Sequence, residues 1–356
     1  MKKILIVFGT RPESLKVYPL VYYAKEFPNL KVESYCTLQH EAKYLDFEAD
    51  YGISKFKESN LPPNNIGAIY DDLDWFLSQK QKEYDYILVQ GDTFSALAGA
   101  LWGYYNKVPV IHVEAGLRTF EEDPFPEEKN RDLIERLSSV WFCPTEQNCQ
   151  STPIFKYRRK NTYVVGNTII DRLRMEMNSL KGLSELERKK SEGFERGVYL
   201  CSLHRRESWD RFEGMLSLIK EVSDKIKKGF LFLTNPNRKL NKFFKNTGYM
   251  KMIEPVNYQE MVKLLINCEA VVTDSGGLIE EAAYLRKPCY ILRDYTERQE
   301  SVLMGLAVLL GREKGILKLS FLSEDNHFWF KKEVECPYGK GDSAKKILTI
   351  LSREDL

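Results

Sequence analysis

The sequence predicts an α/β fold with two doubly wound parallel sheets, each forming a Rossmann-like domain. Short apolar runs alternate with helix-length segments almost throughout the 356 residues, which indicates parallel strands joined by helices. The alternation restarts in mid-chain, and this length suits two domains. Polar residues gather where the apolar runs end, and ligands of such folds bind at that edge of the sheet.

The first domain is predicted to span residues 1–166. Strands are expected over 4–8, 32–38, 87–90, 108–113, 140–143 and 163–165, and helices over 14–27, near 95–105 and over 127–139. The run at 4–8 follows two lysines and is too short for a signal peptide or a membrane helix, so it is interpreted as the first strand.

The second domain is predicted to span residues 167–342 and to begin with a helix at 168–181. Its strands are expected over 198–202, 230–233, 252–253, 270–273 and 290–292, with helices between them. The charged stretch 184–196 is predicted to be solvated and mobile, and a C-terminal helix within 343–356 to pack back on the first domain. Two such sheets facing each other would leave a cleft at the carboxyl ends of their strands.

Composition narrows the function. The chain carries 53 basic and 51 acidic residues, so no basic surface suggests a nucleic-acid partner. No apolar run is long enough to span a bilayer, so no membrane partner is expected. The seven cysteines are scattered without metal-ligand spacing, which predicts buried, reduced thiols in a cytoplasmic protein. The four histidines do not cluster as a metal site would.

A candidate anion site lies in the stretch 271–298, where an apolar run, a small-residue turn and a helical pattern follow one another. The first N–H groups of a helix are unpaired and carry positive dipole charge. We therefore predict a nucleotide diphosphate on Ser275, Gly276 and Gly277, with its ribose on Glu281. The alternative interpretation is a glycine-rich turn that only ends a buried strand.

Three carboxylates follow strands of the first domain or open a nearby helix: Asp92, Glu114 and Glu127. Carboxylates brought together repel, so at least one should have a raised pKa and could move a proton near neutral pH. Structural alternatives exist, because Asp92 could cap a helix and Glu127 suits a first helical turn after a proline. Glu114 is the hardest to explain as structure.

Cations and a histidine complete the polar set. Arg11 and Lys16 follow the first strand and could both face an anion. His204 follows the strand at 198–202 and could act as an acid, a base or a hydrogen-bond donor to a phosphate. Asp294 and Glu297 are interpreted as ion-pair braces for the Ser-Gly-Gly turn.

Together these residues resemble the non-hydrolysing UDP-N-acetylglucosamine 2-epimerases. The matching motifs are GTRPE with Lys16, QGDT, HVEAGLRT, PFPEEKNR, PTE, GNT, HRRES, IEPVNY, TDSGGLIEEA, RDYTER and PYGKG. They occur in the family's order and cover the chain from residue 3 to about residue 345.

The resemblance implies a glycosyltransferase-B-like fold and a cytoplasmic homodimer that works without NAD or metal. It implies interconversion of UDP-GlcNAc and UDP-ManNAc through loss of UDP and a 2-acetamidoglucal intermediate, supplying cell-surface polysaccharide synthesis. Carried over by motif, the catalytic residues are Asp92, Glu114, Glu127 and His204. The residues that would contact the UDP-sugar are Arg11, Lys16, Gln39, Arg131, Ser275, Gly276, Gly277 and Glu281.

The chain departs from the family pattern at several positions. Leu233 stands where a histidine is usual, and Ala42 departs in the stretch that begins at Gln39. In some bacterial members these regions bind a second, activating UDP-GlcNAc, so we hypothesise that this activation is absent. Phe94 and Gln299 also depart, which is compatible with a modified sugar such as a 3-acetamido derivative.

Two further function classes stay open from the sequence. One is a hydrolase or a glycosyltransferase acting on the same UDP-sugar, which product analysis would distinguish. The other is a non-catalytic nucleotide-sugar binding protein. In that case, substitution of Glu114 and His204 would change turnover no more than a surface mutation does.

Overall fold

The computed structural model describes residues 1–39, 53–55, 65–80, 83–152, 161–181, 197–205, 212–234, 249–311 and 329–353. The chain divides into two compact units. The first comprises Met1–Arg172 and Tyr338–Leu356, and the second comprises Leu173–Pro337. The division falls six residues (172 − 166) after the predicted boundary, inside a helix, and the C-terminal segment returns to the first unit.

The first unit contains a seven-stranded parallel sheet in the order β3-β2-β1-β4-β5-β6-β7. Its strands are β1 (Lys2–Phe8), β2 (Leu30–Cys36), β3 (Ile53–Lys55), β4 (Tyr86–Gln90), β5 (Val110–Val113), β6 (Val140–Cys143) and β7 (Thr162–Val164). Its helices are α1 (Arg11–Tyr23) with a 3₁₀ turn (Ala24–Glu26), α2 (Ile66–Gln79), α3 (Phe94–Tyr105), α4 (Glu127–Leu137) and α5 (Glu146–Ser151). Helix α6 (Thr168–Lys181) begins in this unit.

The strands of this sheet are buried on both faces. In β1, Ile4 and Ile6 pack into a cluster with α1, whereas Leu5 and Val7 pack into a cluster with α2 and α3. This burial explains the nearly continuous apolar sequence of β1, which is typical of parallel sheets covered by helices. The strand order reverses beside β1, which pairs with both β2 and β4, so a ligand crevice is expected at its carboxyl end.

The second unit contains a six-stranded parallel sheet in the order β10-β9-β8-β11-β12-β13. Its strands are β8 (Tyr199–Ser202), β9 (Phe230–Leu233), β10 (Met250–Ile253), β11 (Ala270–Thr273), β12 (Cys289–Ile291) and β13 (Ala307–Leu309). Its helices are α7 (Phe212–Ile226), α8 (Tyr258–Asn267), α9 (Gly276–Leu285) and α10 (Gln299–Leu303). The strand order reverses between β8 and β11, the two strands that precede His204 and Ser275.

The C-terminal helix α11 (Ser343–Ser352) packs on α1 in the first unit. The buried Asp171 carboxylate accepts hydrogen bonds from the N–H groups of Ser343 (3.1 Å) and Ala344 (2.9 Å) at the helix start. A carboxylate at a helix N-terminus satisfies unpaired donors and interacts favourably with the helix dipole.

The structure confirms the α/β class with two doubly wound parallel sheets. Helices α2, α5 and α10 and the short strands β3 and β13 were not predicted. The charged stretch 184–196 lies outside the described residues. All seven cysteines are free, and only Cys336 is less than fully buried. In the described part of the chain, the helices are too short or too polar to cross a bilayer.

Candidate active site

Glu114 is the centre of a polar cluster at the carboxyl edge of the seven-stranded sheet. Its side chain is 4% exposed, and the Lys16 ammonium lies 2.6 Å from each carboxylate oxygen. Gln90 donates a hydrogen bond to Oε2, and Asn167 donates one to Oε1 at 2.7 Å. A buried charge is costly unless it is paired and hydrogen-bonded, so this set of donors favours the ionised carboxylate.

The loop after β5 holds Glu114 in a sparsely populated backbone conformation. Its φ is +72°, in the left-handed region that residues with a Cβ rarely adopt. The carbonyl of Phe142 fixes the loop by accepting from the N–H groups of Glu114 and Ala115. Across from it, a Cβ on Gly91 would lie 3.3 Å from Glu114 Oε2, so the carboxylate closely approaches the backbone there.

Asp92 is held by a second cation on the same edge. Its Oδ2 accepts from Arg131 Nε (2.8 Å) and contacts the Nη2 atom at 2.6 Å, a geometry that orients both partners. Thr93 is the N-cap of α3, since its hydroxyl accepts from the N–H of Ala96. The alternative in which Asp92 caps the helix is therefore wrong.

The two glutamates that open α4 have different environments. Glu127 is half-buried, whereas Glu128 is buried and contacts Arg131 at 3.0 Å. Glu128 also accepts from the N–H of Thr119, which ties the loop after β5 to α4. The sequence analysis singled out Glu127 and gave Glu128 no role, whereas the structure shows Glu128 supporting the Arg131–Asp92 pair.

Burial raises the pKa of two carboxyl groups that the sequence had not singled out. The pKa of Glu13 rises to about 7, although it accepts from the N–H groups of Gly9 and Thr10 and from the Thr93 hydroxyl. The pKa of Glu135 rises to about 7 for the same reason, opposed by the nearby Arg118 guanidinium. Both groups brace loops of the edge rather than point out of it.

Of the remaining residues named from the sequence, Gln39 and Arg11 belong to the first unit and Leu233 to the second. The side-chain oxygen of Gln39 accepts hydrogen bonds from the backbone N–H (3.1 Å) and the hydroxyl (2.8 Å) of Ser95. Arg11 is half-buried in the first turn of α1, one turn before Lys16. Leu233 is buried at the end of β9, and Ala42 lies outside the described residues.

In the second unit, a buried carboxylate shapes the loop that carries His204. Asp274 follows β11 and accepts from the backbone N–H of His204 at 2.9 Å and of Arg205 at 3.0 Å. The next residue, Ser275, occupies the N-cap position of α9. The His204 loop and the start of α9 therefore lie side by side at the carboxyl edge of this sheet.

The two glycines at the start of α9 have different surroundings. A Cβ on Gly276 would lie 2.8 Å from the Arg298 guanidinium carbon, so a larger residue would have to displace the ion-paired Arg298 side chain. A Cβ on Gly277 would meet no atom of the described residues within 4 Å. The helix start therefore packs on Arg298 through Gly276 and is open at Gly277.

Carboxylates near the α9 turn form ion pairs or hydrogen bonds with neighbouring side chains. Glu280 pairs with Arg298 at 2.7 Å, and Glu297 pairs with Arg298 at 2.8 Å. The bracing role predicted for Glu297 is confirmed. Glu281 accepts from the Tyr258 hydroxyl at 2.6 Å. Asp294 is exposed, and its bracing role stays a prediction.

Four residues that support the site were missed by the sequence analysis: Gln90, Glu128, Asn167 and Tyr258. Gln90 ends a predicted strand, Asn167 follows one, and Glu128 stands beside Glu127 inside a matching motif. These placements were the signals available in the sequence. Within the described ranges, no group of three or more His, Cys, Asp or Glu side chains is placed to hold a metal ion.

Comparisons with known proteins place the chain in context. A family model described as UDP-N-acetylglucosamine 2-epimerase matches residues 36–352. A UDP-N-acetylglucosamine 2-epimerase from Methanocaldococcus jannaschii is 34% identical over 98% of this chain and 99% of its own length.

Two solved structures share the fold over nearly the whole chain. The UDP-GlcNAc 2-epimerase of Neisseria meningitidis, bound to UDP-GlcNAc, has a TM-score of 0.87 at 29% identity and covers 98% of this chain and 99% of that one. The M. jannaschii enzyme in complex with UDP-GlcNAc and UDP has a TM-score of 0.86 at 33% identity, with 99% of both chains covered.

Proposed function

The chain belongs to the UDP-N-acetylglucosamine 2-epimerase family, and from that premise we propose that it interconverts UDP-GlcNAc and UDP-ManNAc. The observation that carries the proposal is the arrangement at the first sheet edge. There Glu114, paired with Lys16, and Asp92, paired with Arg131, follow neighbouring strands. Epimerisation needs a group that removes a proton from one face of C2 and a group that returns it to the other. Two carboxylates on adjacent loops can supply both.

The C1–O bond breaks first in this proposal. C2 is not next to a carbonyl, so its proton becomes acidic only when a cation-like sugar forms at C1. The bonding electron pair leaves with UDP, whose diphosphate we place on Ser275, Gly276 and Gly277, with the ribose on Glu281. Helix N–H groups stabilise the developing negative charge, and His204 lies on the neighbouring loop.

A carboxylate then removes the C2 proton, and the C–H electron pair forms the C1–C2 double bond of 2-acetamidoglucal. We assign this step to Glu114 or Asp92, which keeps the abstracted proton, while the other carboxyl group starts protonated and delivers its own proton to the opposite face of C2. UDP adds back to C1 to complete the reaction. Glu127, Arg131, Arg11, Lys16 and Gln39 are proposed as further contacts to the UDP-sugar, and no NAD or metal takes part.

The direct test is an NMR time course of the protein with UDP-GlcNAc in D2O. UDP-ManNAc carrying deuterium at C2 is the expected product. Free UDP with a reducing sugar would instead show a hydrolase. If UDP-GlcNAc is unchanged, the substrate assignment fails, and a 3-acetamido UDP-sugar, with which the departures at Phe94 and Gln299 are compatible, is the next substrate to test.

The assembly and location follow the family resemblance. We propose a cytoplasmic homodimer that supplies UDP-ManNAc for cell-surface polysaccharide. Light scattering coupled to size-exclusion chromatography tests the dimer, because a protomer of 41.6 kDa would then elute with twice that mass. A rate that rises hyperbolically with UDP-GlcNAc would agree with the absence of activation by a second substrate molecule.

A further inference from the structure

Asn167 connects Glu114 to the start of α6. The residue is 2% exposed, and its Nδ2 donates to Glu114 Oε1 at 2.7 Å. Its Oδ1 accepts from the N–H of Ile169 at 3.3 Å, and its own N–H donates to the Tyr338 carbonyl at 2.8 Å. Asn167 is therefore fixed from both sides and presents a donor to the carboxylate.

Gln90 acts on the other carboxylate oxygen. It is the last residue of β4, is 1% exposed, and donates its Nε2 hydrogen to Glu114 Oε2. The Lys16 ammonium contacts both oxygens. Each oxygen thus accepts from one amide and from the shared cation. Three donors from three different segments of the chain determine the direction of the carboxylate plane.

We propose that Asn167 and Gln90 are positioning residues, which act through Glu114 by fixing its orientation and keeping it ionised for proton transfer at C2. Hydrogen bonds to the charged form of a carboxylate stabilise that form over the protonated one. The role in catalysis rests on the proposed function, whereas the effect on Glu114 itself is a property of the protein alone. The two can therefore be tested separately.

The other charges around Glu114 define what a substitution would change. Lys16 contacts it directly, and the buried His112 on β5 has its pKa lowered to about 4, mainly by burial. Glu114, Asp92 and Arg118 also act on His112 through their charges. Asn167 and Gln90 are neutral side chains that donate hydrogen bonds to the carboxylate. An added negative charge at either position would oppose Glu114 directly.

The discriminating variant is Asn167→Asp. Aspartate has nearly the same shape and can still accept from the N–H of Ile169, but it replaces the donor with a second carboxylate oxygen. Two carboxylates at this distance share a proton, so the titration of Glu114 should move up by about one pH unit or more. The matched control is Asn161→Asp, in which the lost donor faces the Ser139 carbonyl at 3.1 Å instead.

The first measurement is the pH titration of carboxyl-¹³C-labelled glutamate by NMR, with the Glu114 signal assigned by its loss in Glu114→Gln. The second is the pH dependence of C2 deuterium incorporation. We expect the acid limb of kcat to shift with the Glu114 titration in Asn167→Asp. On that acid limb, kcat should be about tenfold lower than in wild type at the same pH, while KM changes less than about threefold. Asn161→Asp should leave both profiles unchanged.

An unchanged Glu114 titration in Asn167→Asp would overturn the proposal, whatever happens to kcat. That result is expected if Asn167 only caps α6. Gln90→Glu is the second variant and must shift the same signal if Asn167→Asp does not fold. A shifted titration in a protein whose wild type does not epimerise would keep the positioning role and refute the proposed reaction.

Discussion

The two sheet edges hold their charged residues in different ways. At the edge of the first unit, Glu114 and Asp92 are each held in place by a cation, and amide donors fix Glu114. At the edge of the second unit, the buried carboxylates Asp274 and Glu280 accept from backbone N–H groups or pair with Arg298. There the helix start at Gly277 is what lies open.

This difference indicates a division of labour. Oriented carboxylates suit proton transfer, whereas backbone N–H groups and a glycine turn suit a diphosphate. In the second unit the ionic groups stabilise the turn, and Glu281, which accepts from the Tyr258 hydroxyl, is the proposed polar contact for a ribose. Substitutions at the first edge should therefore change turnover, and those at the second edge should change nucleotide binding.

The largest expected effect is the loss of turnover in Glu114→Gln. The substitution removes the charge while keeping the side-chain shape, so kcat should fall about a thousandfold or more if Glu114 transfers the proton. Calorimetric titration should give an unchanged affinity for UDP. Strongly weakened UDP binding would contradict the division between the two edges.

The matched substitution at the second edge is Glu281→Gln. It should weaken UDP binding about tenfold, because one carboxylate contact to the ribose is replaced by a weaker amide contact. Its kcat at saturating substrate should change much less than that of Glu114→Gln. A thousandfold loss of kcat with normal UDP affinity would show that Glu281 takes part in the chemical step, which would contradict the division between the two edges.

A second prediction separates a bracing carboxylate of the first edge from a reacting one. The pKa of Glu13 is raised from 4.5 to about 7 by burial, so the folded protein holds a proton that the unfolded chain has lost. The free energy of unfolding therefore falls as pH rises from about 4.5 to about 7 and levels off above that. This contribution should reach at most about 3 kcal/mol.

Glu13→Gln should remove that fall, because glutamine can accept from the same N–H groups and donate to the Thr93 hydroxyl. Urea unfolding at pH 5 and pH 8 tests it, and the variant should gain stability relative to wild type at pH 8. Glu83→Gln is the control, since Glu83 is an exposed glutamate. A variant with the same pH dependence as wild type would refute the assignment.

The smallest expected effect compares the glycines of the α9 turn. Gly277→Ala places its methyl group in open space, so the melting temperature should stay unchanged while UDP affinity falls about tenfold if the diphosphate lies there. Gly276→Ala forces a methyl group against Arg298 and should lower the melting temperature by several degrees. Unchanged UDP affinity in Gly277→Ala would move the diphosphate elsewhere.

The fold was largely predictable because buried parallel strands have a strong local signature. The runs at β6, β9 and β11 were predicted with their observed bounds, since each is a short apolar segment between polar turns. Strand β13 was missed because three residues, Ala307–Leu309, give too little periodicity. The amphipathic helix α2 was not predicted either.

Some members of the candidate site were predictable, but their pairing was not. Strand ends indicated Glu114, Asp92 and Lys16, because residues at that edge come together in any doubly wound sheet. The sequence could not show that Lys16 binds Glu114, 98 positions away, or that Arg131 binds Asp92. Such pairs depend on helix orientation and rotamers, which tertiary packing decides.

The most direct test of the division of labour uses two isotopes in Glu114→Gln. UDP-GlcNAc carries ¹⁸O in the C1–O–P bridge, and the reaction runs in D2O. We expect the label to scramble among the β-phosphate oxygens, because the nucleotide edge still breaks and reforms the C1–O bond, while no UDP-ManNAc carrying deuterium at C2 is formed. Deuterated UDP-ManNAc formed at nearly the wild-type rate would contradict the account, because both proton transfers would then proceed without Glu114.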